Sequence, residues 1–130
     1  QGKPLTYYLK ASEWLKQNSS AGAVVFNADW DDFPALFYYN SHNYYLTGLD
    51  PTFMYQKDPA KYQLYVDVSL GKIQAGLKKI IQRDFNADYV FFDTDHRLLE
   101  KQLKYHGGFV KVYEDAEAKI YQVKNEAVLP

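Results

Sequence analysis

Acidic side chains gather where this chain turns. Asp29, Asp31 and Asp32 follow the apolar run Ala23 to Phe26, Asp50 follows Tyr44 to Thr47, and Asp93, Asp95 and His96 follow Tyr89 to Phe92. Carboxylates brought together from several loops suit a hard cation such as Mg2+ or Ca2+. Asp29, Asp31, Asp50, Asp93 and Asp95 are therefore the candidate metal set, for a stand-alone divalent-metal-dependent enzyme acting on a phosphate ester. The commoner use of an Asp at a strand end is to cap the next helix or close a turn, and Asp93 and Asp95 stand just before a helical pattern. His96 beside these acids has the makings of an oriented general base, although a first-turn histidine needs no function. His42 and His106 have no partner at ligand spacing. Zinc motifs, glycine-rich phosphate loops and nucleophile elbows are absent, and no residue is assigned a catalytic role.

A second chemistry comes from amides beside rings. Nearly half of the aromatic side chains fall between Trp30 and Tyr65, interleaved with Asn40, Ser41, His42, Asn43 and Asp50. Flat rings next to amides and carboxylates suit a sugar or a protein surface. Trp30, Asp31, Asp32, Asn40, Asn43 and Asp50 form the candidate substrate-binding set. The same rings would equally serve as the small core of a cap over the sheet, or as a protein-interaction module.

The elements that must position these residues follow from periodicity. Leu5, Tyr8, Leu9, Ala11 and Leu15 mark an amphipathic helix, and Ala23 to Phe26 a strand buried on both faces. Tyr44 to Thr47 reads as a second strand. Asp58-Pro59 is an N-cap and first-turn proline for a helix. Ile73, Leu77, Ile80, Ile81 and Phe85 trace a helical stripe, with a strand at Asp88 to Phe92 behind it. A helix carrying Leu98, Leu99 and Leu103 ends at Gly107-Gly108. Phe109 to Tyr113 and Ala118 to Val123 flank a turn and read as a hairpin. Apolar strands alternating with helices predict an α/β fold, a three-layer α/β/α sandwich whose mostly parallel sheet has a C-terminal antiparallel hairpin at its edge. Residues 1–124 are expected to form one domain and 125–130 a tail.

The 130 residues carry 15 Lys plus Arg against 16 Asp plus Glu, a formal charge of −1, so nothing favours nucleic acid as a partner. There is no cysteine, which excludes disulfides and thiolate chemistry. No run approaches the length of a membrane span. Thirteen Tyr raise the aromatic share to 18% while the mean hydropathy stays at −0.47, so burying these rings requires many hydroxyl partners or a wet surface. The chain opens at Gln1 without methionine, as a processed product or a piece of a longer protein would.

Glu13-Trp14-Leu15, Val24-Val25-Phe26, Asp29-Trp30-Asp31-Asp32-Phe33-Pro34 and the block from Asn40 through Gly48-Leu49-Asp50-Pro51 resemble the C-terminal soluble domain of bacterial polytopic membrane proteins of the GT-C glycosyltransferase type. The likeness continues through Tyr89-Val90-Phe91 and Val112 to Asp115 as far as Tyr121. The soluble domain of the oligosaccharyltransferase catalytic subunit is more distantly similar, through Trp30-Asp31. This chain has Asp32-Phe33 where that family continues Tyr-Gly, so acceptor-peptide recognition is not carried over. The resemblance implies an extracytoplasmic domain tethered to the membrane, with the membrane-embedded part of the same polypeptide as a partner and a glycan or lipid-linked sugar as a ligand. In GT-C enzymes the catalytic acids lie between membrane helices, so the resemblance implies no catalysis by this domain alone and no cofactor beyond the divalent cation of the alternative.

Overall fold

The computed structural model describes residues 8–28, 40, 42–45 and 56–125. In order, these form α1 (Leu9–Asn18), β1 (Val24–Asn27), β2 (Tyr44–Tyr45), α2 (Pro59–Ser69), the short α3 (Leu77–Lys79) running into a π-helical turn (Ile80–Asp84), β3 (Tyr89–Asp93), α4 (Arg97–His106), β4 (Phe109–Glu114) and β5 (Ala118–Val123).

Local chemistry sets several boundaries. The Asp58 carboxylate accepts from the Lys61 backbone N–H at 3.0 Å, and Pro59 opens α2 where its missing donor costs nothing. Gly107, at φ 73°, ends α4. The stripe from Ile73 to Phe85 is not one helix. Ile73 lies before α3, outside any helix or strand, clamped by the Gln102 side chain, which accepts from Ile73 N at 3.0 Å and donates to Ile73 O at 2.5 Å. His106 Nε2 donates to the same carbonyl at 3.1 Å. A side-chain amide thus supplies the pairing that a neighbouring strand would have offered.

The expected three-layer sandwich on a mostly parallel sheet is corrected by the strand pairing. The order is β2-β1-β3-β5-β4. β1 is parallel to β2 and β3 over two and three registered pairs, whereas β3–β5 and β5–β4 are antiparallel over five each. The sheet is mixed, and its longer ladders are antiparallel. The helices are also unevenly shared. α1 packs Ala11 and Leu15 on Val25, Phe91 and Ile120, while α2, α3 with its π-helical turn, and α4 bring Tyr65, Leu77, Ile81, Leu99 and Leu103 to the other face. The physical reason lies in the last two strands. β5 buries Ala118, Ile120, Tyr121 and Val123 and takes the inner place beside β3; β4, with Val110, Lys111 and Glu114 exposed, takes the edge. A bulge between Lys111 and Tyr113 turns both Val112 and Tyr113 toward the α1 side.

Candidate functional site

Because β1 runs parallel to both β2 and β3, the carboxyl ends of three strands share one edge of the sheet. That edge is where open α/β sheets place their ligands. β1 reaches it at Asn27, whose side chain is buried and whose carbonyl accepts from the Tyr65 hydroxyl of α2 at 3.0 Å. Ala28 N then donates to Phe91 O at 3.0 Å, which keeps the strand ends level. β3 reaches the edge at Asp93. Its Oδ1 accepts from Asp95 N at 2.9 Å and from His96 Nδ1 at 2.8 Å, an Asx turn that delivers the chain to α4.

Asp93 and His96 are both largely shielded from solvent, with side chains 11% and 18% exposed. A carboxylate holding Nδ1 fixes the ring orientation, so acid, base or ligand chemistry of this imidazole is confined to Nε2. Asp95 is exposed and takes part through its backbone N–H. Among the described residues no group of three or more His, Asp or Glu is placed to hold a metal ion.

Asn40 and Asn43 stand at the opposite end. Val24 is level with Tyr44, so the residues before β2 lie beside the start of β1, at the amino ends of the parallel strands. Both amides are buried. Asn40 Nδ2 donates to Asn43 Oδ1 at 2.7 Å, and Asn40 Oδ1 accepts from His42 N at 2.9 Å. Asn43 Nδ2 donates to Ser19 Oγ at 2.8 Å and Ala23 O at 3.2 Å, while His42 Nε2 donates to Ser19 O at 2.7 Å. The Tyr45 hydroxyl closes the cluster by donating to Asn40 O at 2.9 Å. Burial pushes this phenol well above its usual range, an effect that hydrogen bonding at Asn40 only partly opposes. Of the six candidate binding residues these two are described, and their amides tie β2 to the end of α1. Trp30, Asp31, Asp32 and Asp50, and Asp29 of the metal set, lie outside the described residues.

His42 had no partner visible in the sequence because Ser19 is 23 positions away and only the β1–β2 pairing joins them. A second polar group carries no local motif at all. Glu100 of α4 accepts from Lys119 Nζ and from the Tyr121 hydroxyl of β5, each at 2.6 Å. Its one readable signal is the polar Lys119 and Tyr121 alternating with the apolar Ala118 and Ile120.

Compared with protein-family models, with curated proteins and with solved structures, the chain matches none. Among the described residues no helix is long and apolar enough to cross a membrane.

Proposed function

We propose that this chain is an extracytoplasmic accessory domain of a membrane-embedded glycosyltransferase-like protein, and that it binds or positions the sugar or acceptor without catalysing transfer alone. One observation carries the reading. The Asp29 to Pro34 and Gly48 to Pro51 blocks, which bear the resemblance most specifically, follow in sequence from β1 and β2, whose carboxyl ends share one sheet edge. Acids and rings, the residue types of those blocks, suit hydrogen bonding and stacking with a pyranose. The Asp93–His96 pair at the end of β3 adds an imidazole to the same edge.

Nuclear magnetic resonance titration with a short-chain, water-soluble polyprenyl-phosphate sugar tests this. Shifts are expected at the amides of Asn27, Asp93 and His96 and at the Trp30 indole, with Trp30→Ala and Asp31→Asn each weakening binding about ten-fold, the loss of a stacked ring or a charged hydrogen bond. No shifts at millimolar ligand, or shifts confined to Asn40 and Asn43, would overturn the binding role. A full reading frame lacking a block of membrane helices would remove the membrane assignment. Parallel titration with Mg2+, Mn2+ and Ca2+ addresses the metal-enzyme alternative, for which Asp93 is poorly prepared because its Oδ1 already accepts two hydrogen bonds.

A further inference from the structure

The outer face of α4 differs from every other described helix surface. Its exposed residues are Arg97, Leu98, Lys101, Lys104 and Tyr105. At ~100° per residue these occupy one arc of about 120°. The arc holds three cations, of which Lys104 also reaches Glu100 at 3.8 Å, and no exposed acid, in a chain whose formal net charge is −1. Glu100, the acid of this helix, is turned inward, 12% exposed, and held by Lys119 and Tyr121. α1, by contrast, exposes Glu13 between Lys10 and Lys16, and α2 exposes Pro59, Ala60 and Gln63.

Large apolar groups gather on the same arc. Leu98 is 63% and Tyr105 83% exposed, one heptad apart. Leu70, 47% exposed, comes from the turn after α2, where Gly71 lies so close to Leu98 that an added Cβ would sit 2.7 Å from the Leu98 carbonyl carbon. A convex stripe of cations with interleaved Leu and Tyr matches a plane that is anionic outside and apolar just beneath, with tyrosine at its preferred depth.

We infer that the exposed arc of α4, with Leu70, docks on an anionic lipid bilayer surface. Each cation near such a surface strengthens partitioning about five-fold. At physiological ionic strength three cations give a contact that orients a tethered domain, because a linker raises the effective concentration, and at low ionic strength the unscreened contact is strong enough to hold the free domain. The inference rests on the membrane-linked reading only for that tether. Arg97 directly follows His96, so the docked helix would bring the ligand edge of the sheet toward the headgroups.

The test is co-sedimentation with vesicles free of sugar lipids, which leaves the sugar-lipid titration an independent result. Binding is expected to equimolar phosphatidylglycerol and phosphatidylcholine at low ionic strength, not to phosphatidylcholine alone, and to be lost in high salt. The double variant Arg97→Glu, Lys101→Glu should lower partitioning at least about ten-fold. The charge-matched Lys10→Glu, Lys16→Glu pair on α1 should leave it unchanged, with circular dichroism verifying that both fold. Absence of binding, equal binding to neutral vesicles, or an equal loss in the α1 variant overturns the inference. Soluble polyglutamate displacing the domain as effectively as excess vesicles would reassign the arc to an acidic peptide and equally overturn it.

Discussion

Glu100 is the residue on which α4 and β5 are fastened. Burial alone would raise its carboxyl pKa, but hydrogen bonds from Lys119 and Tyr121 and the charges of Lys119 and Lys104 outweigh it, so the group is held below the ordinary carboxylate range. Tyr121 is displaced the opposite way, first by burial and then by the carboxylate it donates to. A folded-state pKa below the unfolded one contributes stability that is present above the unfolded value, near 4.3, and is lost as pH falls through the folded value. Glu100→Gln should therefore cost about 1–3 kcal/mol at pH 7, the range for losing a charged hydrogen-bond partner. The gap between the urea midpoints of variant and parent should narrow as pH falls below the unfolded value and the parent carboxyl takes up its proton as well. A difference that persists undiminished at low pH would show that packing, not ionisation, holds the pair.

Two glycines in the left-handed region separate backbone strain from close approach at the level of elements. Gly71 and Gly76 have φ near +71° and +75°, but a Cβ at Gly71 would meet the Leu98 backbone while one at Gly76 meets nothing within 4 Å. Gly76→Ala should cost about 1 kcal/mol, the conformational penalty alone. Gly71→Ala should cost about 1–3 kcal/mol more, the range for overpacking, because the α2 turn must then move off α4. Equal thermal midpoints for the two variants would contradict the packing assigned to that turn. The sequence located most of these elements, since Asp58-Pro59, Gly107 and the β-branched runs act within a few residues. It failed where a partner from afar decides. Ile73 fits a helical stripe perfectly well, and Gln102 and His106, 29 and 33 positions later, hold its backbone outside the helix. Leu98 reads as a core leucine beside Leu99, yet the helix phase set by Leu99 and Leu103 turns it outward.

At the scale of the whole molecule, stability should fall from the centre of the sheet toward β2. β3 is paired on both sides and all five of its residues are buried, whereas β2 has two registered pairs and depends on the amides of Asn40 and Asn43. The alternation of strands and helices could not reveal this arrangement, because a parallel sheet and a mixed one use the same buried strands. The choice was made by which strand of the hairpin is apolar enough to lie inside, and the function of Asn43 by a contact with Ser19, 24 positions away. Removing that amide in Asn43→Ala should weaken the β2 attachment by about 1–3 kcal/mol, or roughly ten- to hundred-fold in local exchange. Gly22 N donates to His42 O at 2.8 Å, so its amide reports the opening directly. Hydrogen exchange should accelerate there and at the β1 amides facing β2, while β3 and β5 amides change only by the smaller loss in global stability. Uniform acceleration through β3 and β5 would mean that β2 unfolds only with the rest. Local acceleration would show that the Asn40–Asn43 clamp holds β2 independently of the core, and sugar binding should then weaken in the same variant, since in sequence only β2 and Leu46-Thr47 separate the clamp from the Gly48 to Pro51 block.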